Sequence, residues 1–288
     1  MLSDSEMEIT YCEVESTRMY AVLHRSTKPK GTTLIFCPPF DQEMVTTYPR
    51  FARWSKQLAG RGISVLRYHP LGTGESDGAH ADVTLNSLVK DAVTAQHFAR
   101  QQIRDPYTGY LGLRLGATVS ILAAAAHPAD FLALWCPVTS LRHYFRELLR
   151  SQVTADAVHR SRTRSTQQMI ADLEAGRNVD VWGYELSPSL YRQMAAMPAL
   201  PEAPPARNVL WLVRPADEAA AAPVVKRWQD SGSHVDFRVV AETAFWEYPG
   251  NTVPERFAAA TVQWLSQIGG QKTNGNPYRF LSERPVAS

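Results

Sequence analysis

Only three cysteines, Cys12, Cys37 and Cys136, occur in 288 residues. They lie far apart with no Cys-x-x-Cys pair, so neither a disulfide framework nor a zinc site is implied, and a reducing compartment is expected. An excess of one charge is also missing. Thirty Lys and Arg against 28 Asp and Glu leave a formal net charge of +2, which excludes nucleic-acid binding through bulk electrostatics. No apolar run approaches the roughly 20 residues of a bilayer span; the most continuous is ATVSILAAAA. The opening residues MLSDSEMEIT carry acids and no apolar segment, so the expectation is a soluble cytoplasmic protein with no membrane span and no secretory signal. Phosphate-loop spacing is absent as well. Gly72-Thr73-Gly74-Glu75-Ser76 is not G-x-x-x-x-G-K-[ST], and no G-x-G-x-x-G opens a helix. No metal or organic cofactor is implied.

What is present is an ordinary globular composition, 44% hydrophobic and 20% charged, in a length that allows one large domain or two small ones. Two alternating runs between Met7 and Arg25, EITYCEVE and MYAVLHR, predict a hairpin turning at Ser16 and Thr17. TTLIFCPP, ISVLRYHP, YTGYLGLRL, DFLALWCPV and NVLWLVRP are apolar without alternation, as strands buried on both faces are. Helical segments separate the first four of them: FARWSKQLAGRG, Leu85 to Arg104, and GATVSILAAAAHP. This alternation predicts an α/β fold with a mostly parallel, doubly wound sheet, completed by HVDFRVVAE and the closing helix PERFAAATVQWLSQIG. Between about Ser140 and Pro205 the rhythm breaks. SLRHYFRELLRSQ and TQQMIADLEAG read as helices with no buried strand, which predicts an inserted helical cap. The expected organisation is a core of residues 1–140 and 206–270, a cap of 141–205 and a polar tail of 271–288. There is no internal repeat.

In open parallel sheets ligands bind beyond the carboxyl ends of the strands. There the sequence places Gly112-Leu113-Arg114-Leu115-Gly116 between a strand and a helix, with the spacing of the nucleophile elbow G-x-S-x-G but with arginine at its centre. A guanidinium stays protonated and cannot be a general base. At a helix N-terminus it adds a full positive charge to the free N–H groups, which suits a carboxylate, phosphate or sulfate. An internal ion pair with Glu43 or Asp217 accounts for Arg114 equally well.

Taken in order, IFCPPFDQEM, VLRYHPLGTGESDG, GLRLGA, LALWCPVTS, VDVWGYELSPSL and VLWLVRPADE make the chain resemble the α/β-hydrolase superfamily over about Thr32 to Leu265. Within it the chain resembles the serine aminopeptidase-like clan and the second type of exosortase-associated hydrolases. The resemblance implies an eight-stranded, mostly parallel sheet with a helical cap. It also implies a serine nucleophile, an acid after NVLWLVRP and a histidine after the last strand. Asp217 matches the acid position, but Ala244, Phe245, Trp246 and Glu247 stand where the histidine is expected, and no histidine follows His234. With neither serine nor histidine, the attacking group and its base are both gone.

The remaining candidates are read against that background. Glu43 follows the strand whose loop in the family supplies an oxyanion-hole N–H; it could pair with Arg114, act as a base if burial raised its pKa, or be a solvent-facing loop acid. Asp217 could be retained only as an N-cap of the following helix. His69 stands where relatives usually have aspartate, at the crevice edge, and is either a group titrating near neutrality or a structural one. In a catalytic version, Arg114 would stabilise developing negative charge while Glu43 or His69 moved protons in a cyclisation, elimination or isomerisation. Phe40, Asp41, Leu115, His143 and Trp246 are the expected ligand contacts. Cys37 and Cys136 are expected to be buried core thiols. Arg142, Arg146 and Arg150 recur every four residues beside His143, and His159, Arg160, Arg162 and Arg164 follow. They form either a solvated basic face or a docking surface for an acyl carrier or pathway protein. The leading expectation is a crevice that binds a small anionic or acyl-type molecule. A hydrolase or thioesterase activating water through Glu43 or Asp217, and a non-catalytic scaffold in an exopolysaccharide or natural-product pathway, are the alternatives.

Overall fold

The computed structural model describes residues 5–14, 16–158, 164–197 and 200–270; the tail expected over 271–288, and His159, Arg160 and Arg162, lie outside them. The alternating runs near the start form the antiparallel strands β1 (Ser5–Val14) and β2 (Thr17–Ser26). The apolar runs form β3 (Thr32–Cys37), β4 (Ile63–Tyr68), β5 (Tyr107–Leu113), β6 (Phe131–Trp135) and β9 (Asn208–Val213), and β10 (His234–Val239) closes the sheet. The strand order β1-β2-β4-β3-β5-β6-β9-β10 makes one eight-stranded sheet, parallel from β4 onward. This is the α/β-hydrolase fold that the resemblance implied.

The strands lack alternation because both faces are covered. In β3, Ile35 and Cys37 join one core and Leu34 and Phe36 the other. The first core packs under α2 (Leu85–Gln102), α3 (Leu115–Ala126) and α7 (Glu218–Asp230). The second packs under α1 (Asp41–Gly60) and α8 (Glu255–Gly270), around Phe51, Trp54, Trp135, Phe257 and Trp264. Helix α1 begins at Asp41, ten residues before the FARWSKQLAGRG segment, so Glu43 lies in its first turn rather than in a loop.

Between β6 and β9 lie α4 (Leu141–Val158), α5 (Thr166–Glu174), a two-stranded hairpin of β7 (Val179–Val181) and β8 (Tyr184–Leu186), and α6 (Pro188–Ala196). The hairpin and α6 depart from the expected pair of helices, because three-residue strands are too short to show a period. Among the described residues no helix is long and apolar enough to cross a membrane.

Candidate functional site

The turn from β5 into α3 is built by close approach. A Cβ on Gly112 would run into the backbone of Ala117, and one on Gly116 into the carbonyls of Cys37 and Pro38. The glycines therefore let the helix start against both its own strand and β3. Between them Arg114 takes φ 54° and ψ −120°, a conformation that costs a non-glycine residue of order 1–3 kcal/mol and persists only where its surroundings hold it. Its N–H donates to the Trp135 carbonyl at 3.0 Å, and its own carbonyl accepts from Ala117 N–H at 3.1 Å.

This backbone projects the Arg114 side chain toward the first turn of α1. Nε–H donates to Glu43 Oε1 at 3.2 Å, and Glu43 Oε2 accepts from the Tyr144 hydroxyl of α4 at 3.0 Å. Of the two ion pairs open to Arg114 in the sequence, the one with Glu43 is formed. The guanidinium carbon lies 5.4 Å from the Tyr144 ring centre and 5.2 Å from that of Trp246, within cation–π range. Burial pushes the Glu43 carboxyl up, while Arg114 and the Tyr144 hydroxyl pull it back. Burial opposes the charge of Arg114, but Glu43 more than offsets this and holds the guanidinium protonated.

Asp217 is close by but differently engaged. Its carboxylate takes Arg214 side-on, at 2.7 Å to Nε and 3.2 Å to Nη2, and gives α7 no side-chain cap. The N-cap reading is thereby corrected, because the carboxylate points back across the turn to Arg214. The Arg214 guanidinium also lies over Trp246, 4.7 Å from the ring centre. Arg114, Arg214, His143, Tyr144, Asp217 and Trp246 line one cavity of about 320 Å³. Besides its bond to Glu43, the Arg114 side chain makes no hydrogen bond among the described residues, and its Nη2 lies 4.0 Å from Glu147. Its terminal N–H groups therefore remain donors for a ligand. His143 is 62% exposed and paired with Glu147.

The other candidates fall elsewhere. Phe40, Asp41 and Leu115 line a cleft of about 20 Å³, room for about one water. His69 is not brought to Arg114. It packs between Tyr20 and Tyr48 and lines a separate cavity with Asp41. It is no titrating group near neutrality, since burial and nearby Arg67 lower its pKa to about 4. Cys37 and Cys136 are buried, and burial raises their thiols to about 11 and about 12. On α4, Arg142 donates to the Ala195 carbonyl at the end of α6, while Arg146 and Arg150 are exposed. Arg164 pairs with Asp172.

One arrangement had no sequence signal. His80 places Nε2 2.7 Å from Asp41 Oδ1 and Nδ1 3.1 Å from the Glu185 carbonyl. Both ring nitrogens face oxygens, so Nδ1–H donates to the Glu185 carbonyl and Nε2 shares a proton with the Asp41 carboxyl. Burial alone would lower the His80 pKa, but Asp41 raises it on balance. Residues 39 apart in sequence show no motif for such a pair. Among the described residues no three His, Cys, Asp or Glu side chains converge as metal ligands.

No curated protein matches the chain. Among solved structures, Est1E from Butyrivibrio proteoclasticus with bound ferulic acid superposes with a TM-score of 0.59 at 16% identity, over 91% of this chain and 98% of that one. DcsB in complex with a substrate analogue gives 0.62 at 14% identity, over 91% and 99%. A Rhizomucor miehei esterase gives 0.61 at 13%, over 95% and 87%. These likenesses carry the fold alone. Residues 44–214, more than half of the chain, match the serine aminopeptidase S33 family. The chain belongs to that family, within the α/β-hydrolase superfamily.

Proposed function

We propose that this protein binds a small molecule bearing a carboxylate or phosphate in the Arg114 cavity, without serine-type hydrolysis. The observation that carries this reading is the state of Arg114. Its strained backbone sits at the elbow, its Nε is anchored by Glu43, its plane lies against Tyr144 and Trp246, and its terminal nitrogens are open to the 320 Å³ cavity. A guanidinium held in this way is preorganised for a bidentate anion. The apolar part of the ligand, acyl or aromatic, would lie along Trp246 and the small side chains Ala216, Ala220 and Ala221.

Arg114 here takes the place of the serine nucleophile, and the loop after β10 delivers Trp246 rather than a histidine. Water activation has weak support in the same geometry. Both Glu43 oxygens are engaged, by Arg114 and Tyr144, and Asp217 is held by Arg214. Chemistry at this site would consist of charge stabilisation by Arg114 on a bound intermediate, as a cyclisation, elimination or isomerisation needs. The segment from α4 to α6 acts as the cap, closing over the cavity through Tyr144. The reading extends to an acyl- or glycan-linked anion from a biosynthetic pathway in the cytoplasm.

The test is a thermal-shift series of wild type and Arg114→Leu against acyl-CoAs, acyl-pantetheines, sugar phosphates and aromatic carboxylates such as ferulate, since a ligand raises apparent stability by mass action. A shift present in wild type and lost in Arg114→Leu supports the reading. A fluorophosphonate adduct on the wild-type chain, or a shift that survives Arg114→Leu, overturns it.

A further inference from the structure

The charges around the Arg114 cavity do not sum to a plain anion site. Its two guanidinium groups are each matched by a carboxylate: Glu43 holds Arg114, and Asp217 takes Arg214 side-on. No lysine lines it, and two further carboxylates do, Glu147 and Glu247. Carboxylates therefore outnumber guanidinium groups, and a ligand carrying negative charge alone enters against that excess.

Glu147 stands closest to the free end of Arg114. It lies on α4, one turn after His143, at the rim of the cavity, with its side chain 49% exposed. Its Oε1 is 3.3 Å from His143 Nε2, and its Oε2 is 4.0 Å from Arg114 Nη2. At 4.0 Å the two ions attract without a hydrogen bond. Nη2 and Oε2 thus each keep the capacity to bond a ligand, one as donor and one as acceptor. We propose that the ligand of this cavity is a zwitterion, an amino carboxylate whose carboxylate takes the terminal N–H groups of Arg114 and whose ammonium, on the same or the next carbon, is held by Glu147. This rests on the reading of Arg114 as an anion site and narrows it.

The spacing selects that class. Set against the Arg114–Glu147 pair, an amino carboxylate completes a ring of guanidinium, carboxylate, ammonium and carboxylate that alternates in sign, so every charge has an opposite charge on both sides. A plain carboxylate on Arg114 has Glu147 as a like-charged neighbour, and a plain ammonium on Glu147 has Arg114, contacts that complementary sites avoid. The rest of the ligand meets Trp246 and the small side chains Ala216, Ala220 and Ala221. About 320 Å³ is at the small end of the range of about 300–1,000 Å³ that organic ligands fill, which suits a single amino acid.

Calorimetric titration of the full chain with phenylalanine, 3-phenylpropionate and phenethylamine tests this, since the second lacks only the ammonium and the third only the carboxylate. Wild type is expected to bind phenylalanine about tenfold tighter than either. Glu147→Gln, an isosteric change at a half-exposed position, should weaken phenylalanine and tighten 3-phenylpropionate, each about threefold, so that the preference disappears; a merely structural role would move both ligands the same way. Arg114→Leu should lose both. The zwitterion alone is overturned, and the anion site left standing, if 3-phenylpropionate binds wild type as tightly as phenylalanine and is lost in Arg114→Leu, or if Glu147→Gln leaves their ratio unchanged. Absence of heat with phenylalanine in wild type overturns it too. Phenylalanine binding that survives Arg114→Leu overturns both the zwitterion and the Arg114 site beneath it.

Discussion

Arg114 unites two costs that are usually kept apart, a positive φ and a buried charge. Removing the guanidinium leaves Glu43 with only the Tyr144 hydroxyl for compensation, and breaking a buried pair from one side typically costs about 3–5 kcal/mol. Arg114→Ala is therefore expected to lower the unfolding free energy by about 3 kcal/mol in urea titrations. Adding Glu43→Gln should return a good part of that loss, a non-additivity that two independent surface residues would not show. Arg114→Gly should be about 1 kcal/mol more stable than Arg114→Ala, because only glycine accepts φ 54° without strain. Equal stabilities for the two would mean that the elbow carries no backbone strain. The Arg114–Glu43 pair was legible in the sequence as one of two options, since strand ends meet at a known edge of such a sheet. The third member, Tyr144, and the stacking on Trp246 were not, because no local pattern sets the distance between loops 30 or more residues apart.

Elements were legible in proportion to how completely they are buried. Strands β3 to β6 announce themselves because each is covered on both faces, whereas the first turns of α1, polar and containing Pro49, mimic a loop. A more specific dependence arises on α2. Asp91 is 1% exposed, accepts the Leu71 N–H at 2.9 Å through Oδ2, and leaves Oδ1 without a partner. Burial lifts its pKa from 3.8 to about 6, against the pull of Leu71 and Lys90. A carboxyl with a raised folded-state pKa favours the native state while protonated, so its contribution is complete below about pH 4 and fades as pH rises toward 6. Asp91→Asn removes that titration. Its stability relative to wild type should climb between pH 4 and 6, by up to about 1.4 kcal/mol per unit, and stay level above. A difference that does not vary with pH would show that Asp91 titrates normally.

Across the whole molecule, the sheet keeps two cavities at its carboxyl edge apart, one lined by arginines beside β5 and β9 and one lined by tyrosines beside β2 and β4. Sequence placed His69 with the first because β4 ends on the same edge. The hairpin strand β2 draws its ring to the second instead. Over this edge α4 is tied down by Arg142 on the Ala195 carbonyl at 2.9 Å, so its basic face is two arginines wide where a docked carrier would meet it. Arg142→Ala is expected to cost about 1 kcal/mol through that lost tie. Reversing Arg146 and Arg150 to Glu should change stability by less than about 0.5 kcal/mol, and the urea midpoints of the two variants should separate accordingly. The seven tryptophans add a further property. Six are at most 2% exposed, and Trp182 stands apart at 47%. Iodide should therefore quench the emission of Trp182 alone in the native chain. Trp246, flanked by two guanidinium groups, becomes an optical gauge of its cavity: any ligand that shifts Arg114 or Arg214 changes the field on that indole and displaces its emission maximum without an added dye.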